Sequence, residues 1–371
     1  MIIFRVHLII LFLFLSIRGY SQERKEINFP NLPGYLTLKC DFHIHTVFSD
    51  GDVWPTIRVQ EAWAEGLDAI AITDHIEYRP HSQDIPSDHN RSHEIALPLA
   101  EQLGIILIRG GEITRKMPPG HLNAIFVKNV NLLERESWFD ACKEARDQGA
   151  FITWNHPGWK VQQPDRTLWW NDHTRLLEAG LLNGIEVVND DSYYPEALRW
   201  ANEKNLTILA NSDIHGPTGT TFDLEKSHRP ITLVFAKERS PQSIKEALMN
   251  RRTAAYHRDK LYGDRAFLAP LFLASVEIRS ELPRLENMQV KYIGVHNNSD
   301  IDYKLKQRIP SIGFTASPLL TLKAHRTTVL EITGTSDEVK NVSNLKLYYE
   351  VENLIVAPGE SLPVVLEIQN F

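Results

Sequence analysis

The stretch CDFHIHTVFSDGD, residues 40–52, sets His43, His45, Asp50 and Asp52 within ten residues of one another. Further on, AITDH ends at His75, RGGEIT carries Glu112, PPGHLNAIF carries His121, TWNHPGW carries His156, and LANSDIH carries Asp213 and His215. Imidazole and carboxylate are the ligand types of Zn2+, Mn2+ and Fe2+. In an extended His-x-His both side chains fall on one side of the chain, so both can reach one ion. A Glu can bridge two ions with its two oxygens. The set is too large for one tetrahedral ion and suits two or three divalent ions with open positions for water and substrate. A lone His-x-His or a lone TDH carries little information; the whole series carries much more. Asp52 and Asp74 read as caps, or as carboxylates that orient a ligating His through its other nitrogen.

Something must bring these side chains together. Apolar runs at 36–42, 67–72, 105–109, 122–127, 150–154, 184–188, 206–210 and 231–235 read as strands, with helix-period patterns between several of them. Pro55 suits the first turn of a helix that Gly66 closes, and Gly104 closes a helix that tolerates Pro98. Ser137 and Ser240 read as N-caps, Pro195 as a first-turn residue and Asn205 as a stop. Alternating strand and helix predicts parallel strands covered by helices, in a barrel or a doubly wound sheet. On this reading the ligand-type residues cluster at the C-terminal ends of five strands, where the βα-loops of a parallel barrel build active sites. His121 is the exception, because it precedes its strand, although it lies only nine residues after Glu112. Beyond residue 275 the pattern turns to short strands separated by turn signals, which predicts a small all-β sandwich over 276–371. The expected division is a barrel over 36–255 and a connecting segment over 256–275.

Composition narrows the class. The 371 residues are 43% hydrophobic and 23% charged, a globular balance with room for about two domains. Residues 1–21 hold an apolar run over 6–17 behind Arg5, which reads as a secretory signal peptide cleaved near residues 21 and 22. An uncleaved anchor is the alternative, but the run is short against the roughly 20 residues that span a bilayer. The expected location is therefore secreted or periplasmic, without stable membrane insertion after cleavage. Losing Arg5 and Arg18 from 40 basic against 47 acidic side chains leaves a formal charge near −9. That argues against a nucleic-acid polymer as partner, since polyanion-binding surfaces cluster Lys and Arg. Two cysteines, Cys40 and Cys142, are too few for a thiolate metal site and read as buried free thiols.

The motifs DFHIHTVFSDG, AITDH, GGEIT, NHPG and NSDIH, in that order, resemble the PHP superfamily, named after polymerase and histidinol phosphatase domains. The resemblance covers about residues 38–255, and the arrangement of a secreted PHP barrel followed by a β-domain is similar to the secreted PHP-type phosphodiesterases that hydrolyse small organophosphate diesters. It implies a distorted (β/α)7 barrel with a trinuclear site. It further implies a first ion on His43, His45, Glu112 and Asp213, a second on Asp50, His75, His215 and the shared Glu112, and a third on His121 and His156. Asp50 stands where many relatives carry a His, which points to a diverged group.

The function expected is hydrolysis of a small phosphate ester, preferably a diester, by a water that bound metal makes acidic near neutral pH. Asp50, Glu112 and His215 carry the metal chemistry, and His81 is an unligated candidate for protonating the leaving group. Arg79, Arg115, Lys116 and Lys160 are candidates to hold phosphate oxygens, and Tyr193 to touch substrate. Trp154, Trp159, Trp169 and Trp170 fit either a pocket wall or the core. A phosphomonoesterase acting on nucleotides or sugar phosphates is the near alternative. Hydrolysis of a nonphosphate bond, and a binding module that keeps the barrel as scaffold, are alternatives of other classes. The oligomeric state is open.

Overall fold

The computed structural model describes residues 23–86, 88–280, 285–336 and 344–369. The expected signal segment, residues 1–21, and its cleavage position near residues 21 and 22 lie outside the described residues. Among the described residues no helix is long and apolar enough to cross a membrane.

The strands β1 (Leu36–Asp41), β2 (Ala69–Ile72), β3 (Ile106–Ile113), β4 (Leu122–Ile125), β5 (Phe151–Trp154) and β6 (Gly184–Asn189) pair in chain order. The short β7 (Ser192–Tyr193) turns back on β6, and β8 (Thr207–Asn211) pairs parallel with β6 on its other side. The ring closes where the chain after β8 meets the chain after β1. Asp213 N–H donates to His43 O at 2.9 Å, and His45 N–H donates to Ile214 O at 3.1 Å. Helices α1 (Pro55–Ala64), α2 (Arg91–Leu103), α3 (Trp138–Asp147), α4 (Asn171–Glu178) and α5 (Pro195–Lys204) pack outside the ring. Local chemistry sets their ends. Pro55 and Pro195 occupy first turns, and Ser137 Oγ accepts from Asp140 N–H. Gly104 and Asn205 close α2 and α5 in the left-handed conformation.

Two expectations need correction. The ring is not uniformly parallel, because β4 runs antiparallel to both β3 and β5. The run at 231–235 is not a further parallel strand either. After the short α6 (Thr218–Thr221), β9 (Ile231–Ala236) lies antiparallel on the outer side of β1. Helix α7 (Pro241–Met249) then leads to β10 (Thr253–His257), and β10 and β11 (Lys260–Gly263) extend that edge as a hairpin. The segment 256–275 is thus structured: it completes the hairpin and adds α8 (Arg265–Ser275).

The C-terminal strands form two antiparallel sheets. One contains β12 (Val276–Ile278), β13 (Val290–Asn297), β15 (Phe314–Ala316) and β17 (Thr327–Gly334). The other contains β14 (Tyr303–Ile309), β16 (Leu319–Leu322), β18 (Asn344–Ala357) and β19 (Glu360–Gln369). Alternate residues of β18, Leu345, Leu347, Tyr349 and Val351, are buried, which is the period-2 signature of a one-sided strand. The sandwich is stitched to the barrel, since β18 pairs parallel with β11 through Leu261 opposite Leu354 and Tyr262 opposite Ile355.

Candidate metal centre

The mouth of the ring is built from strand continuations. Residues 42–45 run on from β1, and Thr73 N–H, just past β2, donates to Ile44 O at 2.9 Å. Glu112 N–H donates to Asp74 O at 3.0 Å, and Ile76 N–H to Glu112 O at 2.9 Å, so His75 and Glu112 sit side by side. Asn155 N–H donates to His121 O at 3.0 Å, which sets His121 beside His156. The antiparallel run of β4 explains His121: the start of that strand lies at the same rim as the ends of its neighbours. His156 and Asp213 adopt positive φ values of 30° and 52°, a conformation that non-glycine residues hold at a cost of about 1 kcal/mol or more.

The side chains converge. His43 Nε2 and His45 Nε2 are 3.1 Å apart, and Asp213 Oδ1 lies 3.1 and 3.0 Å from them. Glu112 Oε1 is 3.4 Å from His43 Nε2, and Glu112 Oε2 is 3.6 Å from His45 Nε2. Asp50 Oδ1 is 3.4 Å from His75 Nε2 and 3.2 Å from His215 Nε2. His121 Nδ1 is 3.1 Å from Glu112 Oε1. His156 Nε2 stands slightly farther out, 3.7 Å from Glu112 Oε1 and 3.9 Å from Asp213 Oδ2. Among the described residues, three groups bring one donor atom from each member within 4.8 Å of the others. They are His45, Asp50, His75 and His215; His43, His45 and Glu112; and His75, Glu112 and His121. Close packing of His121 is therefore with His75 and Glu112, while the His121 and His156 rings are 4.9 Å apart.

These residues fit divalent cations. Asp50 Oδ1 and Glu112 Oε2 are buried and lack a hydrogen-bond partner of good geometry among the described residues, although imidazole nitrogens crowd them, His75 Nδ1 as near as 2.5 Å to Glu112 Oε2. His75 Nδ1 is 2.6 Å from Thr114 Oγ1, and His215 Nδ1 donates to Asp213 O at 2.7 Å, which leaves both Nε2 atoms facing Asp50 Oδ1. Nitrogen and carboxylate oxygen, without sulfur, suit Zn2+, Mn2+ or Fe2+. The electrostatics agree. Burial opposes a charge on His43, yet Asp213, Glu186 and Glu112 raise its pKa well above the usual value. Burial likewise opposes charge on His75, but Glu112 and Asp50 push it up to about 10. Burial and the neighbouring His75 hold His45 down to about 3. Burial works against ionisation of Asp50, which the His215 and His75 imidazoles nevertheless keep well below the carboxylate range. The pocket is a sink for positive charge.

A cleft of about 670 Å³ opens over this floor. Asp50, His75 and His121 line it at one end, and Glu77, Tyr78, Thr114, Arg115, Lys116, Met117, Trp159, Val161 and Gln162 form its walls. Arg115 and Lys116 thus reach the cleft. Arg115 is already engaged, with Nη2 2.8 Å from Glu77 Oε1 and donating to Arg135 O at 2.6 Å. Arg79, His81, Lys160 and Tyr193 are not among the lining residues. Tyr193 instead stacks on Tyr262 with ring centres 4.4 Å apart. Of the tryptophans, Trp159 lines the cleft, while Trp154 is fully buried between His173 and Trp200.

Of the two carboxylates that the sequence offered as caps or orienting groups, Asp74 takes the capping role, whereas the supporting side chains Glu186 and Arg58 were not apparent from the sequence. Asp74 does not orient a ligand imidazole; it accepts from Thr46 N–H at 2.7 Å and from Ser49 Oγ at 2.9 Å, and so shapes the loop that carries Asp50. Asp52 is exposed, and only its N–H touches the site loops, donating to His215 O. The imidazole-orienting carboxylate is Glu186, 2.8 Å from His43 Nδ1; its only local signal is a charge inside the apolar run GIEVVN. Arg58, fully buried, donates to the carbonyls of His45, Ile214 and Gly216 at 2.8, 3.1 and 2.9 Å. Gly51 lets this loop close: a Cβ there would lie 2.8 Å from His45 C.

Comparison with known proteins adds three relatives and a domain family. A family model described as an Ig-like domain matches residues 276–367. A solved two-domain protein from Bacteroides vulgatus, described as containing a predicted PHP-like metal-dependent phosphoesterase, is 49% identical. It covers 94% of this chain and all of its own, with a TM-score of 0.89. A solved chain from Bifidobacterium adolescentis is 19% identical over 57% of this chain and 96% of its own, with a TM-score of 0.41. An uncharacterized protein of Methanocaldococcus jannaschii is 28% identical over 191 residues, which are 48% of this chain and 83% of that protein.

Proposed function

The chain belongs to the PHP-like metal-dependent phosphoesterases, and from that premise we propose that it hydrolyses small phosphodiesters with the help of two or three divalent ions. The observation that carries the reading is the pair of buried carboxylate oxygens on Asp50 and Glu112 that lack a hydrogen-bond partner of good geometry, set among imidazoles at the floor of an open cleft. His43, His45, Glu112 and Asp213 would hold one ion, and Asp50, His75 and His215 another. His121 and His156, beside Glu112, offer a third position. Bound ions would supply Lewis acidity toward phosphoryl oxygens and a nucleophilic water at neutral pH.

The chain's own residues do the rest. Glu112 and Asp50 set the spacing of the reacting end of the cleft. Lys116 places a positive charge on the wall where a nonbridging phosphate oxygen would lie. Tyr78, Trp159 and Val161 give the opposite contribution, an apolar rim that accepts an ester substituent. The diester preference rests on this balance. A terminal dianion asks for a free guanidinium fork, and Arg115 is pinned to Glu77 and to a backbone carbonyl.

The test is metal quantification on purified protein together with turnover of bis-p-nitrophenyl phosphate and p-nitrophenyl phosphate. Bound transition metal and faster diester cleavage are expected. A stronger monoester signal overturns the diester assignment, and absence of bound metal after metal loading overturns the metal assignment.

A further inference from the structure

Glu186 lies in the middle of β6, fully buried, and accepts from four N–H donors. Its Oε1 is 2.8 Å from His43 Nδ1 and 2.9 Å from Asn211 Nδ2. Its Oε2 is 2.7 Å from the His156 backbone N and 2.8 Å from Asn189 Nδ2. The amide orientations are fixed by other contacts. Asn211 Oδ1 accepts from Phe42 N–H at 2.9 Å, so the amide nitrogen is the end that faces Glu186. Asn189 Nδ2 also lies 3.3 Å from Asp213 Oδ2, a second acceptor. Only an acceptor-only group, an ionised carboxylate, satisfies this donor set. An ionised Glu186 requires hydrogen on His43 Nδ1, and that leaves the lone pair on Nε2, the atom that faces His45, Glu112 and Asp213.

We propose that Glu186 is a positioning residue that fixes the His43 tautomer and ties together His43, the His156 backbone and, through Asn189, Asp213. It thereby sets cation binding on the His43 and His156 side of the centre. It has no contact of this kind with Asp50, His75 or His215, whose imidazoles are oriented by Thr114 and by the Asp213 carbonyl. This inference rests on the metal-centre reading, but its readouts do not depend on turnover.

The experiment is Mn2+ binding by equilibrium dialysis on the metal-stripped full chain, the parental protein against Glu186→Gln and Glu186→Asp. Gln turns an amide donor toward donors, and Asp keeps the charge but shortens the reach. Glu186→Gln should weaken part of the Mn2+ isotherm by about 10–100-fold. The remaining part should be unchanged and should disappear on adding Asp50→Asn. Glu186→Asp should recover part of the loss. An unchanged isotherm overturns the proposal, and so does uniform weakening of every binding step in a variant with parental circular dichroism. The second measurement needs no variant. Long-range 15N–1H correlation spectra of the 15N-histidine-labelled, metal-stripped parental protein should show His43 protonated at Nδ1 above the pH where it loses its second proton. A neutral His43 protonated at Nε2 overturns the proposal. If bis-p-nitrophenyl phosphate is not cleaved but both readouts hold, the substrate reading fails and the role of Glu186 stands.

Discussion

At the scale of single residues, the centre depends on groups that cannot be exchanged for isosteres. Glu112 touches His43, His45, His75, His121 and His156 at once, and has no exposed surface. Glu112→Gln should lower kcat/KM for a diester by about 100-fold or more and weaken metal retention, while the secondary structure stays intact. Steady-state kinetics and metal analysis on the same preparation check this. A different imidazole sets an acid limit on stability. His173 is buried, with Nδ1 accepting from Trp170 N–H at 3.1 Å and Nε2 donating to Pro119 O at 2.7 Å. Burial holds its pKa down to about 4. In the unfolded chain an ordinary His titrates near 6.5. Between these values the unfolded state binds a proton that the folded state does not, so the contribution is present above pH 6.5 and is lost as pH falls toward 4. From pH 7 to pH 5 this single group should remove about 2 kcal/mol. Urea unfolding of metal-stripped protein at both pH values, compared with His173→Gln, should show a smaller pH dependence in the variant.

At the scale of elements, the ends of β1 and β8 carry four of the ligand residues, and Arg58 on α1 clamps both. Its guanidinium reaches carbonyls on either side of the seam and pairs with Glu61 at 2.8 Å. Arg58→Met would leave these buried carbonyls without their donor and Glu61 without its partner. A loss of about 3 kcal/mol is expected, read as a lower urea midpoint, with weaker metal binding because His45 and His215 lose their common support. The chain was legible here to an uneven degree. The strands, their caps and the placement of His43, His45, His75 and Glu112 at strand ends follow from local patterns of apolar and polar residues. The reversal of β4 does not, because an apolar run has no direction in its composition. The position of His121 depended on that reversal. Glu186 was hidden for a similar reason: its donors come from residues 43, 156, 189 and 211, and three of the four are remote in sequence.

At the scale of the whole molecule, barrel and sandwich share structure. The β11–β18 pairing makes one continuous sheet, and the apolar cluster that contains Val59, Ile70 and Phe272 also contains Leu305, Leu347 and Leu366. Calorimetry of the chain should therefore give one cooperative unfolding transition rather than two. A chain cut after residue 275 would expose the β11 edge and the buried face of α8, Leu268, Leu271 and Phe272. Such a fragment should aggregate on size-exclusion chromatography, whereas a sandwich that merely hung from a linker would leave a monomeric barrel.

By itself, the sequence determined which atoms are available for chemistry: imidazoles and carboxylates without thiolates, delivered at strand ends in a fixed order, followed by a β-rich domain. Residue type and local periodicity are properties of short windows, so they can be read there. The tertiary structure alone decided how those atoms face one another. It reversed β4, closed β8 against β1, buried Glu186 among four N–H donors, pinned the cleft-lining Arg115 to Glu77 and joined β18 to β11. Each of these is a contact between segments far apart along the chain, and its energy comes from burial and hydrogen bonding that no single segment contains.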